Sequence, residues 1–298
     1  MKKVLLASVL VSSLLLASEQ NYIEFGGGVI NSKDNFSTEN KNNNPTLNNA
    51  DKESMGVAYL EFFYGYDLTD SLNIYAKSGI DGFKVGTNYK NFDFGLKADI
   101  SEEWENPFQT GTKRKETDVS EFGLYAAYGF SANTNHNGAI RYEFSGVNYE
   151  KETVIDDLKR EGNRHIVSFE NLFRSKLIDK DVTYFTNLSY EKYDADGKAS
   201  SYDRYDFLLG ASTSLNEKIS LSLFTNVGKK AYEKKNIEVD KKVDVDIYGV
   251  NAILNWDKPF NYENTYVSLK TGYEKEEANA DFYDKENSFG LISVGYKF

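Results

Sequence analysis

Hydrophobic and polar residues alternate with a period of two through most of the chain after Glu19. In segments 57–65, 92–100, 121–130 and 204–213, apolar side chains occupy every second position, and glycine, serine and charged residues fill many of the positions between them. Because successive side chains of a β-strand point to opposite faces, each segment predicts a strand with one apolar and one polar face. A helical spacing does not fit these segments.

The connections between the segments are of two kinds, and the two kinds alternate along the chain. Polar stretches that predict long loops are separated by stretches that predict short turns; the long ones cover 32–53, 102–117, 151–163, 195–201, 232–243 and 278–286. Segment 72–90 preserves the alternation only as a tight hairpin, Leu72–Ile80 followed by Gly82–Lys90. The strand count is then fourteen, with twelve as the alternative, because a pattern defines strand boundaries only to within a few residues.

Long loops at one end and short turns at the other are typical of transmembrane β-barrels. In lipid every backbone N–H and C=O needs a partner within the protein, so strands can span only as a closed sheet. The pattern therefore predicts an all-β fold, a transmembrane antiparallel up-and-down β-barrel formed by residues 19–298. Aromatic residues beside the predicted short turns would form an interfacial girdle: Tyr64, Tyr66, Phe92, Tyr128, Phe130, Phe173, Trp256 and Phe298.

Residues 1–18 have the features of a secretory signal peptide. Two lysines near the start are followed by an uncharged apolar run, 4–16, and then by small residues. A basic start, a short apolar run and small residues before the first acidic residue are typical of such signals, and the run is short for a membrane-spanning helix. We therefore expect export through the Sec pathway and removal of this segment.

The composition excludes several classes of function. The 298 residues include no cysteine and two histidines, and the net charge is −11. Binding to nucleic-acid phosphates needs a basic surface, so we expect no nucleic-acid partner. The absence of cysteine excludes disulfides and thiolate sites, and two histidines leave little scope for a zinc centre, so we expect no metal and no cofactor. Much of the apolar content comes from 22 Tyr and 20 Phe, which favour strands.

The last residues of the chain carry a family resemblance. Ile292, Val294, Tyr296 and the final Phe298 alternate with other residues and share one face. With the signal peptide and the repeated alternation, they make the chain resemble bacterial outer-membrane β-barrel proteins, whose last strand typically ends in an aromatic residue. The resemblance implies a place in the outer membrane of a Gram-negative bacterium, in contact with its lipid and lipopolysaccharide. It also implies folding by periplasmic chaperones and the barrel assembly machinery, with these four residues as the assembly signal.

The inward-facing residues of the predicted barrel carry charges of both signs. Such charges need either water or ion-pair partners, so the lumen is either water-filled or closed by salt bridges. Large barrels leave a channel where small ones fill with side chains, which favours a pore. Inward glycines would leave open volume, or they would simply allow the sheet to coil. The candidate pore-lining residues are Glu61, Lys77, Lys97, Asp99, Glu121, Arg141, Glu143, Arg164, Glu170, Arg174, Arg204, Asp206 and Lys270.

Length and strand count make the chain similar to the monomeric fourteen-stranded porins of the outer membrane protein G type. That resemblance implies passive diffusion of ions and small hydrophilic solutes, gated by a long external loop. The candidate gates are Asn31–Glu53 and Ser101–Asp118. The alternative is a non-conducting surface barrel that acts as an adhesin or structural anchor through its external loops. The sequence leaves open whether the barrel is a monomer or a trimer.

Catalysis is not expected, because the sequence offers few reactive groups in a suitable arrangement. His165 faces outward, but the residues two positions away on its strand are Asn163 and Val167, so a neighbouring serine nucleophile is missing there. His136 lies in a predicted turn without a nearby carboxylate. Asp194 begins a short stretch that resembles the start of a calcium loop, but the later ligands of such a loop do not follow. A turn is the simpler interpretation of that stretch.

Overall fold

The computed structural model describes residues 20–79 and 82–298. The predicted signal peptide lies outside the described residues, as do the two residues at the tip of the predicted 72–90 hairpin. Within the described part of the chain, no helix is long and apolar enough to cross a membrane.

Alternating side chains fold the described residues into fourteen antiparallel strands, each paired with its neighbours in sequence. The last strand pairs with the first, with Tyr22 opposite Lys297 and Lys33 opposite Glu286, and the barrel is closed. The predicted count of fourteen is confirmed and the alternative of twelve is wrong. The strands are β1 Tyr22–Lys33, β2 Glu53–Thr69, β3 Leu72–Gly79, β4 Gly82–Tyr89, β5 Phe92–Trp104, β6 Glu116–Asn133, β7 His136–Tyr149, β8 Gly162–Leu177, β9 Lys180–Ala195, β10 Tyr202–Ser214, β11 Ile219–Asn236, β12 Lys241–Asp257, β13 Thr265–Ala278 and β14 Lys285–Lys297.

The two faces of the wall differ as the alternation predicts. Outward positions hold large apolar side chains that are exposed to the surroundings, such as Leu96 and Ile292, each about 60% exposed. A band of exposed apolar side chains all round a closed sheet is what contact with lipid requires. The four residues of the predicted assembly signal, Ile292, Val294, Tyr296 and Phe298, belong to this outward set.

The ends of the barrel are also unequal. At the turn end, the strands are joined by connections as short as residues 90–91, and outward aromatic rings pack in pairs there, including Phe92 with Tyr128 and Tyr64 with Phe298. At the loop end lie loop 1 (34–52), loop 2 (105–115), loop 3 (150–161), loop 4 (196–201), loop 5 (237–240) and loop 6 (279–284).

One predicted long loop is wrong. Residues 232–243 do not form a loop, because β11 continues to Asn236 and β12 begins at Lys241. Only residues 237–240 connect the two strands, after a register shift between Ala231 and Lys235. This stretch is polar because the hairpin continues above the apolar band. There neither face of a strand contacts lipid, so polar side chains are favourable on both faces.

Candidate functional site: the charged lumen and the loop cap

The sequence-predicted lumen residues lie on the inner face of the wall. Lys97 and Asp99 point inward between the outward Leu96, Ala98 and Ile100, and the same alternation places the other predicted charges inside. Most are partly or fully buried, but Arg174 is exposed near the turn end of β8. Whether these residues line a conducting pore stays a prediction.

The longest series of lumen ion pairs runs across β5 to β9. The Lys97 ammonium lies 3.1 Å from Glu121 and 2.9 Å from Glu143. The Arg164 guanidinium continues the series, at 2.7 Å from Glu121 and 3.2 Å from Glu191. Each cation therefore contacts two carboxylates on different strands, which is how buried charges are held without full hydration.

A second group lies nearer the turn end and mixes charge with tyrosines. Arg141 reaches Asp93 at 3.4 Å and Glu170 at 3.3 Å. The Tyr75 hydroxyl donates to Asp93 at 2.6 Å and lies 2.6 Å from the Tyr125 hydroxyl. Bulky aromatic side chains therefore project from the inner wall into the lumen. They occupy space that would be open in a wide pore.

Two further groups occupy the opposite side of the lumen. Lys270 bridges Glu24 at 2.7 Å and Glu61 at 3.2 Å. Arg204 contacts Asp206 at 2.6 Å, and Lys230 contacts Glu276 at 2.7 Å. Lys230 and Glu276 were absent from the predicted set, although their positions on the inward faces of β11 and β13 could have identified them once the strands were known to extend that far.

Three of the inward glycines do not leave open space. Tyr59 stands opposite Gly26, Tyr125 opposite Gly95 and Tyr266 opposite Gly295, and each ring lies over the glycine it faces. A Cβ at Gly26 would fall 2.4 Å from the Tyr59 ring. The glycines accommodate aromatic side chains lying along the inner wall, as paired glycine and aromatic residues do in other barrels.

The loop end is covered by a cluster of apolar side chains, here called the cap. Its buried members include Phe108 of loop 2, Leu158 of loop 3, Ala199 of loop 4 and Phe282 of loop 6, and partly buried Phe36 of loop 1 packs against them. Loop 5 contributes partly buried Val239, and the upper part of β12 adds Val243, Val245 and Ile247. Because these connections leave the rim all round the barrel, a single cluster that joins them lies across the mouth.

Two buried arginines hold the cap to the rim. Arg114 of loop 2 donates to the Asn35 carbonyl at 2.7 Å and to the Lys41 carbonyl, and its guanidinium lies 4.3 Å from the centre of the Trp104 ring. Burial without a contacting carboxylate lowers the pKa of Arg114 to about 10, so the group stays charged at neutral pH.

Arg160 of loop 3 is held differently. It contacts Glu103 and Glu152, each at 2.8 Å, and donates to the Trp104 carbonyl at 2.6 Å. Burial, the largest influence, lowers the pKa of Arg160, but the surrounding groups, Tyr149 and the two carboxylates, outweigh it and the pKa is raised. Both predicted gate segments, Asn31–Glu53 and Ser101–Asp118, thus include residues of the cap and its arginine contacts.

The reactive residues singled out from the sequence have structural partners. The Tyr142 hydroxyl lies 2.8 Å from His165 Nδ1 on the outer face, and His136 stacks on Phe173 at 4.2 Å. Asp194 pairs with Lys198 at 2.5 Å in a turn-like segment. Among the described residues, no group of three or more His, Asp or Glu side chains is arranged to hold a metal ion.

Comparisons with known proteins place this architecture among bacterial barrels. A family model described as "Protein of unknown function (DUF2860)" matches residues 20–297. A search of curated proteins found no match. The fold is similar to that of a FadL homologue from Pseudomonas aeruginosa, with a TM-score of 0.52, 10% identity and coverage of 94% of this chain and 91% of that chain.

Two further solved structures are similar over nearly the whole chain. One is the COG4313 outer membrane channel from Pseudomonas putida F1, with a TM-score of 0.49, 12% identity and coverage of 98% of this chain and 100% of that chain. The other is the Pseudomonas putida toluene transporter TodX, with a TM-score of 0.49, 10% identity and coverage of 99% and 94%. The predicted resemblance to outer-membrane β-barrel proteins is confirmed at the level of the fold.

Proposed function

We propose that this chain, which belongs to the DUF2860 family, is an outer-membrane channel whose charged lumen admits ions and small hydrophilic solutes when the cap opens. The observation that carries the proposal is the series of inward ion pairs along the barrel, from Lys270 and Arg141 to Arg164 and Arg204. A wall of this kind would offer permeating ions polar and charged partners in place of bulk water.

The exposed apolar band supports insertion in a bilayer, and the fold supports the outer membrane as its location. Short turns face the periplasm in such barrels and longer loops face outward, so the cap would lie at the cell surface. Passive diffusion would then require movement of the loops, since the cap joins loops 1 to 6 across the mouth. Recognition of β14 by the assembly machinery and contact with lipopolysaccharide stay predictions.

Removing Arg114 should open the channel. Arg114→Ala deletes the contacts that tie loop 2 to the Asn35 and Lys41 carbonyls. A hydrogen bond from a charged donor contributes about 1.5–3 kcal/mol, and 1.4 kcal/mol is a factor of about ten in an equilibrium. We therefore expect about a tenfold rise in open probability in single-channel recordings from planar bilayers, with the unitary conductance unchanged because the lumen is unchanged.

Lys113→Ala is the matched control, since Lys113 is the exposed neighbour of Arg114. It should behave as the unaltered chain does. Equal open probability for the Arg114 and Lys113 variants would contradict gating by the cap. A folded barrel that does not conduct in any variant would contradict the channel itself.

One observation favours the second candidate, a non-conducting surface barrel. Loop 1 and the adjoining strand ends form a polar depression of about 430 Å³ bordered by Asn40, Glu53, Trp104 and Glu116. A polar surface of this kind suits an adhesin or anchor. In that case, exchange of loop 1 for an unrelated sequence should abolish adhesion to a host surface while leaving the conductance of the barrel unaffected.

A further inference from the structure

The polar depression beside loop 1 has the size and the chemistry of a small binding site. Its volume of about 430 Å³ falls within the range of small-molecule sites, which is about 300–1,000 Å³. Amides and carboxylates dominate its border, which includes Asn40, Asn42, Asn43, Glu39, Glu53 and Glu116. The depression therefore suits a small ligand that carries several polar groups.

Asn40 is the border residue whose hydrogen bonding is incomplete. It is only 6% exposed, and neither its Oδ1 nor its Nδ2 forms a hydrogen bond with the described part of the chain. Its backbone N–H donates to the Ser37 carbonyl at 3.2 Å, so the unpaired groups are those of the side chain. Buried amide atoms are nearly always hydrogen-bonded, because an unpaired one loses its hydration without compensation. The Asn40 side chain therefore suits a ligand that both donates and accepts hydrogen bonds.

Loop 2 holds the segment that carries the asparagines. The Lys41 carbonyl accepts a hydrogen bond from the Arg114 guanidinium, and the Asn42 carbonyl accepts one from the Arg114 backbone N–H at 2.7 Å. These bonds use backbone carbonyls of loop 1, and the side chains of Asn42 and Asn43 are exposed beside the depression. A segment that is already held by its backbone loses fewer conformations when a ligand binds.

The charges at the border disfavour an anionic ligand. Three carboxylates, those of Glu39, Glu53 and Glu116, share the border with one ammonium, that of Lys41. The ammonium lies 2.6 Å from Asp51 and 4.0 Å from Glu53, so its charge is offset. A phosphate or carboxylate group would meet this excess of like charge at a cost.

Metal ions and apolar ligands are no better matched to the depression. In the described part of the chain, no three or more His, Asp or Glu side chains are arranged to hold a metal ion. Trp104 supplies an aromatic ring at the border, but it is only 1% exposed and the Arg114 guanidinium lies over it. A polar ligand without negative charge remains.

From these features we propose that the depression binds a neutral saccharide. Sugar hydroxyls donate to carboxylates, and they both donate to and accept from amides. Two neighbouring hydroxyls of one sugar ring would pair the Oδ1 and the Nδ2 of Asn40. The inference rests on the second candidate function, the surface barrel, and names the ligand class for its depression.

A single-tryptophan variant tests saccharide binding. The chain has two tryptophans, so Trp256→Phe leaves Trp104, at the border of the depression, as the only indole. The protein is folded in a polyoxyethylene detergent, which has no sugar head group, and titrated with a panel of neutral hexose and N-acetylhexosamine oligosaccharides. We expect saturable binding of at least one of them by Trp104 fluorescence and by calorimetry. Absence of a saturable signal in both measurements for the whole panel would overturn the proposal.

The role of Asn40 is tested by removal of its amide. Asn40→Leu keeps the approximate size of the side chain, and it should weaken saccharide binding about tenfold because two hydrogen bonds are lost. Amide hydrogen exchange of loop 1 should stay unchanged, since the Asn40 amide bonds to no described residue. Asn48→Leu is the matched control, because Asn48 is exposed in the same loop and lies outside the border. Equal affinity in the two variants, or faster exchange of loop 1 in Asn40→Leu, would overturn the assignment of Asn40 to the ligand.

The charge of the border is tested through the ligand. Conversion of a hexose of the bound saccharide to its uronic acid should weaken binding at least about tenfold, because the added carboxylate meets the carboxylates of the border. Unchanged affinity for the acid would contradict this account of the border. Binding of the amino sugar without binding of its N-acetylated form would overturn a neutral ligand and identify an organic cation instead.

The inference and the proposed functions fail separately. Ion conductance is measured without saccharide, and saccharide binding is measured without a membrane. Saccharide binding by a barrel that does not conduct would contradict the channel and support the site. Adhesion that is lost when loop 1 is exchanged but retained in Asn40→Leu would contradict the site and support the surface barrel.

Discussion

The β11–β12 hairpin and the β3–β4 hairpin lie in different parts of the same wall, and both have short connections. The first has strands of 18 and 17 residues and rises above the apolar band, whereas the second has two strands of 8 residues and ends inside the band. The height of the wall is therefore determined by strand length and not by loop length.

The difference determines what closes each part of the barrel. Above the band, β12 contributes Val243, Val245 and Ile247 directly to the cap, so sheet hydrogen bonds anchor that side. On the other side the described parts of β3 and β4 contribute no residue to the cap, and loop 1 is held instead by Arg114 and by the Trp104 indole at the end of β5. One part of the rim is rigid sheet, and the other depends on a few side-chain contacts.

The largest expected effect tests the anchored side. Ile247 is fully buried, and Ile247→Ala removes its side chain from the cap. Truncation of a buried aliphatic side chain costs about 2–5 kcal/mol. We expect loops 3 and 6 to lose much of their protection in amide hydrogen exchange, because both pack on this strand through the cap.

Val250→Ala is the control on the same strand, since Val250 faces outward and is exposed. It should leave loop protection unchanged. If loops 3 and 6 exchange their amide hydrogens equally fast in both variants, the cap does not depend on β12. The two hairpins would then not differ in how they support the cap.

A smaller effect is expected at the short hairpin. Gly82 has a φ of +94°, and a Cβ there would fall 2.5 Å from the Ala98 carbonyl oxygen. Strained backbone of this kind costs about 1–3 kcal/mol, so Gly82→Ala should loosen the tip and lower the temperature at which the folded band shifts in gel electrophoresis. Gly290→Ala should leave that temperature unchanged, because a Cβ at Gly290 meets nothing within 4 Å. Equal shifts in both variants would mean that the tip of the hairpin is not constrained by β5.

The inward and outward faces of the strands could be predicted from the alternation alone. The two faces of a strand are a local property, so 92–100 predicted its outward and inward residues without any partner. The hairpin at 72–90 was predicted from the arrangement of the whole chain. Two strands in this segment keep all the long loops at one end of the barrel, whereas one strand would not. The level at which this hairpin ends did not follow, because it depends on the register of β3 with β2 and of β4 with β5.

The ion-pair partners and the cap could not be predicted in the same way. Lys230 and Glu276 lie on strands that are not neighbours, and their contact depends on the stagger of β11, β12 and β13. The cap joins Phe108 to Phe282 through loops that show no periodicity. The inward glycines were ambiguous in sequence, because only pairing shows that Tyr59 lies over Gly26.

The smallest effect is expected at the top of the tall hairpin. Lys235 pairs with Asp240 at 2.5 Å beside the connection, and both side chains are largely exposed. An exposed ion pair gains little because water and salt screen it, so Lys235→Ala should change the unfolding free energy by less than about 0.5 kcal/mol. Loop protection in hydrogen exchange should also stay as it is, because the contribution of β12 to the cap begins at Val243, below this pair. A measurable loss of protection would show that the tip itself supports the cap, and the anchored region would then extend to the end of the hairpin.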